Sequence, residues 1–128
     1  MSDILVKVFA SLILCVAAAG DVEIHQGPRH QRVRAGSPAT FTCSAASRSH
    51  IIGVPYIQWQ KDNRPLHYIK NGHYSKDPVD NSLTIFNTST ADSGYYTCIA
   101  SLNHHMDKAS AQLLVEGKSI CMFYLLFY

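Results

Sequence analysis

The sequence is short of charge, of helix-period patterning and of long apolar runs, and each shortage removes a class of protein. Charged residues make up only 16% of the chain and the formal net charge is +2, so bulk electrostatics give no case for nucleic acid as a partner. No apolar stretch reaches the ~20 residues that a membrane-spanning helix needs. There is no nucleophile elbow, no glycine-rich phosphate loop and no metal triad. Ser, His and Asp are present, but nothing in their spacing assembles them. The reading therefore assigns no catalytic residue, no cofactor, no metal and no small-molecule substrate. Function is expected to come from a surface. What is present is a globular composition, 47% apolar over 128 residues, enough for one domain.

The two ends read as separate from that domain. Residues 1–19 carry one lysine, Lys7, then an apolar run over residues 8–19 ending in Ala17-Ala18-Ala19. A short apolar stretch with a small-residue end predicts a secretory signal peptide cleaved near Ala19 or Gly20. Residues 117–128 form a tail whose last nine residues are apolar, too few to cross a bilayer. Gly117-Lys118-Ser119 can be encoded with GTAAGT, a splice-donor sequence. The tail is thus expected to be intron read-through or a truncated segment, and any membrane attachment would lie in missing downstream segments.

Between the ends, short strands alternate with turn residues, and no internal repeat is visible. Residues 22–26 and 31–34 predict two strands separated at Gly27-Pro28. In residues 39–45, Ala39, Phe41, Cys43 and Ala45 share one face, the period-two pattern of a half-buried strand. Residues 47–55 predict a loop, and residues 56–61 a strand with Ile57 and Trp59 on one face. Asp62-Asn63-Arg64-Pro65 predicts a tight turn, followed by short strands at residues 66–69 and 73–76. Leu83 and Ile85 face inward on the next strand; Tyr96, Cys98 and Ala100 do so on the one after. Ala109, Ala111, Leu113 and Val115 share the inward face of the last. Regular turn signals between alternating strands argue for an all-β sandwich.

Cys43 and Cys98 fall on strands predicted to face one core, with Trp59 on a third inward-facing strand between them. Asp92-Ser93-Gly94-Tyr95-Tyr96-Thr97-Cys98 sets a tyrosine two residues before the second cysteine. This constellation resembles the immunoglobulin superfamily. The segments Asp80-Asn81-Ser82-Leu83-Thr84-Ile85 and Asp107-Lys108-Ala109-Ser110-Ala111 extend the likeness to the repeats of neuroglian- and neurofascin-type adhesion molecules. The Trp59-to-Asp92 interval leaves little room for the extra strand of variable domains, and the last strand lacks their Phe-Gly-x-Gly bulge. An I-set, two-sheet antiparallel sandwich over residues 20–116 is the better match.

The resemblance implies a Cys43–Cys98 disulfide, worth roughly 4 kcal/mol in the chain-entropy model, with Trp59 packed beside it. It implies a Tyr96 hydroxyl tied back to the backbone, with Asp92 and Gly94 completing the signature. It also implies a cell-adhesion or recognition module that binds another protein, homophilically or heterophilically. Such a module would be secreted or on the extracellular face of the plasma membrane, as a fragment of a multi-domain receptor. The alternative is a small secreted single-domain ligand or decoy. Domains of this kind often carry an arginine that pairs with the Asp92 equivalent. Here His73 stands in its place, so the pair weakens above the histidine pKa, with Lys76 as the fallback partner.

Four further features bear on function. Asn87-Thr88-Ser89 is an N-glycan acceptor sequence. Ile51, Ile52 and Val54 lie in a long loop at an end of the sandwich, where recognition is commonly placed. They either form a contact surface or fold back over the core. His104-His105 sits in the predicted loop between the last two strands. It lacks a third ligand at metal spacing and is expected to be a solvated polar loop. Arg29, His30, Arg32 and Arg34 are read as protection of a sheet edge rather than as a site for sulfated glycans.

Overall fold

The computed structural model describes residues 21–48, 53–66 and 72–117. The signal-peptide and tail readings, and Ile51 and Ile52, lie outside the described residues. Ten strands follow in order: β1 (Val22–Gln26), β2 (Gln31–Arg34), β3 (Ala39–Phe41), β4 (Ser44–Ser47), β5 (Tyr56–Lys61), β6 (Arg64–Pro65), β7 (Tyr74–Lys76), β8 (Leu83–Ile85), β9 (Gly94–Leu102) and β10 (His105–Glu116). A one-turn 3-10 helix, Thr90–Asp92, precedes β9, and no α-helix occurs among the described residues.

One layer is a five-stranded sheet in the order β2-β10-β9-β5-β6. The other is made of β3-β8-β7 and β1-β4. Here β3 and β4 are halves of one expected strand, interrupted at Thr42 and Cys43. The halves part because they serve different neighbours: β3 pairs with β8, and β4 pairs with β1. Cys43 nonetheless stays buried with Ala39 and Phe41, as the alternation required.

The chain changes layers after Gly27-Pro28. Pro28 has no N–H to continue a ladder. Before it β1 runs antiparallel to β4, and after it β2 runs parallel to β10, with Leu113 opposite Gln31 and Glu116 opposite Arg34. All other pairings are antiparallel. At the centre lie Phe41, Trp59, Leu83, Ile85, Tyr96, Cys98 and Leu113, all fully buried. The Cys43–Cys98 disulfide, with Cα atoms 6.4 Å apart, joins the two layers through this core. Trp59 lies directly opposite Cys98 in the β5–β9 ladder, and Phe41 stacks on Tyr96 with ring centroids 5.2 Å apart.

Two hairpins differ from expectation, and the strand expected over residues 66–69 lies almost wholly outside the described residues. The turn after β5 contracts to Asp62 and Asn63, whose φ values of 47° and 65° suit a two-residue hairpin, so Arg64 and Pro65 already pair. Of the strand expected over residues 66–69, only Leu66 is described; its N–H donates to Trp59 O at 3.4 Å. The last hairpin is longer than expected. β9 and β10 pair from Gly94–Leu113 to Leu102–His105, leaving a two-residue turn with Asn103 at φ 56°.

Candidate functional site

Asp92 is the hub of the lower end of the sandwich. Its side chain is buried, and one carboxylate oxygen lies 2.6 Å from His73 Nε2. The other accepts the Ser89 N–H at 2.8 Å, and its carbonyl accepts the Tyr96 hydroxyl at 2.6 Å. Lys61, whose ammonium donates to Ala91 O at 2.6 Å, adds positive charge nearby. Burial alone would raise the Asp92 pKa, but bonds from His73 and the Ser89 N–H outweigh it and hold the carboxyl below its usual range. Burial pushes the Tyr96 phenol well above its ordinary value, so it stays a donor. Tyr74 is raised for the same reason, with the Asp92 charge second.

His73 therefore takes the pairing position. Lys76, the expected fallback, does not reach Asp92: it donates to Ile57 O and lies 4.4 Å above the Tyr56 ring. From the end of β7 its side chain is closer to β5 than to the turn that holds Asp92. Loss of solvation lowers the Lys76 pKa. One pH effect follows. A depressed carboxyl stabilises the fold above the unfolded Asp pKa, about 3.9, and loses that contribution as pH falls through the lower native value. His73→Ala removes the first donor. It should cost about 1.5–3 kcal/mol at pH 6 and start acid unfolding at a higher pH, as urea titrations across pH 3–7 would show. An unchanged acid limb would assign the Asp92 shift to the Ser89 N–H.

Gly94 opens β9 beside this hub. Its φ is 154°, and a Cβ there would lie 2.7 Å from an Asp62 carboxylate oxygen. That carboxylate cannot yield freely, because it accepts the Tyr95 N–H at 2.9 Å. The signature glycine is thus required by close approach as well as by backbone conformation.

The opposite end carries one cluster of exposed apolar residues. Val54 is 85% exposed, while the adjacent Pro55 is buried. Val54 thus faces solvent, while Pro55 is buried beside it. The loop is pinned at its base: Ser47 Oγ donates to Gly53 O at 3.0 Å. Gly53, at φ 133°, packs so close to Leu102 that a Cβ would sit 3.1 Å from that side chain. Beside the loop, Tyr56 and Met106 both stand opposite Ser101, one on each side, so all three share the outer face of the five-stranded sheet. Tyr56 and Met106 are each 59% exposed. The next row of that face is Gln58, Ile99 and Lys108, and the one beyond it Gln60, Thr97 and Ser110. Across these three rows Lys108 is the only charged side chain.

Sequence reading missed Tyr56 and Met106 as surface residues of one patch. The parity was legible: Met106 is out of phase with Ala109, Ala111 and Leu113 and so must face outward. Which residue stands beside it depends on register between strands.

The remaining candidates are placed as follows. His105 lies in β10 rather than in a loop, and its Nδ1 is 3.2 Å from an Asp21 carboxylate oxygen. Among the described residues no cluster of His, Cys, Asp or Glu is placed to hold a metal ion. Arg32 pairs with Glu116 at 3.2 Å, and His30 Nδ1 accepts the Gln112 N–H at 2.8 Å. The first ties the edge strand β2 to β10, and the second ties the residue before β2 to the same strand. Asn87 is exposed in the turn after β8 at φ 47°. No helix among the described residues is long and apolar enough to cross a membrane.

Two sheets bridged by a buried disulfide, with a tryptophan opposite one sulfur and a tyrosine tied to the turn before its strand, define an immunoglobulin-type sandwich. The parallel β2–β10 pairing narrows this further. The chain belongs to the Immunoglobulin I-set domain family, which matches residues 22–115.

It is similar to Neuroglian of Drosophila melanogaster, 37% identical over 73% of this chain and 7% of that protein. It is similar to human Neural cell adhesion molecule L1, 36% identical over 74% of this chain and 7% of that one. Neurofascin of Gallus gallus is 34% identical over 89% of this chain and 8% of its own length. The chain thus spans under a tenth of these relatives. Among solved structures, the tandem Ig repeats of Dlar superpose with TM-score 0.67 at 28% identity, covering 78% of this chain and 50% of that one.

Proposed function

We propose that this chain is an extracellular recognition module, a part of a multi-domain receptor of adhesion type, which binds a protein partner through its loop end. The observation that carries the reading is the exposed cluster of Val54, Tyr56 and Met106 at that end, beside rows of the sheet in which Lys108 is the only charged side chain. Tyr56 is held by the ammonium of Lys76 over its ring. A rigid aromatic anchor loses little entropy on binding, and such residues dominate protein interfaces. The likeness to molecules named for adhesion supports the same reading. Catalysis plays no part in it.

The test is a bead assay with the full chain immobilised, challenged with beads carrying the same chain and with beads carrying the L1 ectodomain. Adhesion to at least one is expected. Tyr56→Ser and Met106→Asp should each weaken it at least tenfold, about 1.4 kcal/mol, while Leu114→Asp, far along the same face, changes it little. Adhesion to neither, or adhesion indifferent to Tyr56 and Met106, would remove the proposal.

A further inference from the structure

We propose that Asn87 carries an N-linked glycan and that the exposed ring of Phe86 is the platform against which its first sugar rests. The turn is built to present this asparagine. The adjacent Thr88 is buried, and its hydroxyl donates to Ser37 O at 2.6 Å, with Arg34 O 3.3 Å away as a weaker shared acceptor. Its backbone is held as well: the Thr88 N–H donates to Ser37 O, and the Gly36 N–H donates to Thr88 O at 2.6 Å. The middle residue of Asn87-Thr88-Ser89 is therefore the anchor, and the residues on either side of it are exposed. Asn87 takes φ 47°, a left-handed conformation that asparagine tolerates better than most residues.

Phe86 supplies the second observation. Leu83 and Ile85 point into the core, so Phe86, the next residue in alternation, points out, and it is 46% exposed. Its N–H donates to His73 O at 2.9 Å, which fixes the backbone beneath the ring. A half-exposed aromatic ring immediately before an acceptor asparagine offers an apolar face to the C–H side of a pyranose. β8 runs away from the loop end, since it is antiparallel to β3. The sugar thus sits at the end of the sandwich opposite Val54, Tyr56 and Met106 and leaves that surface open.

The co-reactant is a lipid-diphosphate-linked oligosaccharide of the secretory pathway. The bond from Asn87 Nδ2 to sugar C1 forms as the C1–O bond to the diphosphate breaks. The lipid diphosphate leaves, and the amide proton passes to a base of the transferase. This inference rests on the extracellular reading of the chain, and one experiment separates the two.

The full chain is expressed in eukaryotic cells and recovered from medium and lysate. Secreted protein should show one mobility shift with peptide N-glycosidase, and mass spectrometry should find Asn87 converted to aspartate. Ser89→Ala should abolish the shift and Ser89→Thr should keep it. Asn87→Gln alone is a weaker control, because glutamine at φ 47° adds backbone strain unrelated to sugar. Glycan trimmed to a single N-acetylglucosamine should raise Tm by a few degrees over the same protein treated with peptide N-glycosidase, which leaves the Ser89 cap of the 3-10 turn in place, and Phe86→Ala should erase that gain. Secreted, disulfide-bonded protein without the shift overturns the glycan while leaving the extracellular reading intact. A glycan whose stabilisation survives Phe86→Ala overturns the platform. Retention in the cytosol with free thiols overturns both readings.

Discussion

Replacing Cys43 and Cys98 together by alanine should destabilise the domain by about 4 kcal/mol. The bond joins residues separated by 55 positions, and the entropy of closing a loop of that length accounts for this figure at 25 °C. Single domains are stable by roughly 5–15 kcal/mol in total, so the loss is a large share of what holds this one together. The urea midpoint should fall by roughly 3 M, with the slope preserved if the unfolded ensemble expands little. Both sulfurs sit in the core, so alanine also leaves two small voids. A loss below ~1 kcal/mol would mean that packing around Phe41, Trp59 and Tyr96 holds the layers together without the covalent link.

The second large effect is expected at Trp59. Trp59→Ala should cost about 3–5 kcal/mol and lower Tm by roughly 15 °C or more. The indole is fully buried, lies opposite Cys98 and is 6.3 Å from the Phe41 ring by centroid. Its Nε1–H donates to Asn81 O at 2.8 Å, a carbonyl presented by a residue at φ 61°. Trp59→Phe separates the two contributions. It keeps most apolar contact but leaves the Asn81 carbonyl without the indole donor, at a cost of roughly 1–3 kcal/mol. Trp59 is the single tryptophan, so its fluorescence reports unfolding of the parent and of every variant except those at this position. Equal losses for Ala and Phe would put the energy in the hydrogen bond rather than in the ring.

The parts of the molecule legible in the sequence are those fixed by local pattern. Alternation placed Ala39, Phe41 and Cys43 on one buried face, and Leu83 with Ile85 on another, because side-chain direction in a strand depends only on parity. The signature around Cys98 was legible because Asp92, Gly94 and Tyr96 act within a few residues of one another. Interactions across strands were less so. His73 was named as the partner of Asp92, and it is; Lys76, named only as the fallback, turns instead to Tyr56 and Ile57, a choice set by where β7 lies relative to β5. Cys43 was placed within a continuous strand, yet pairing with two different neighbours splits that strand beside it. The candidate site shows the same division. Val54 was named with Ile51 and Ile52 from loop position and apolarity, with a contact surface and a fold back over the core both left open, and its exposure decides only for Val54. Tyr56 and Met106 become neighbours only through the register that brings both opposite Ser101.

The parallel alignment of β2 with β10 has a mechanical consequence. β1 enters at the loop end, and β10 leaves at the other. Tension applied between residues 21 and 117 is directed along the strands. β2 and β10 must then slide past one another, with the bonds between Gln31–Arg34 and Leu113–Glu116 strained together rather than opened in sequence like a zipper. A domain built this way resists tension along its strands up to a threshold and then yields in one step.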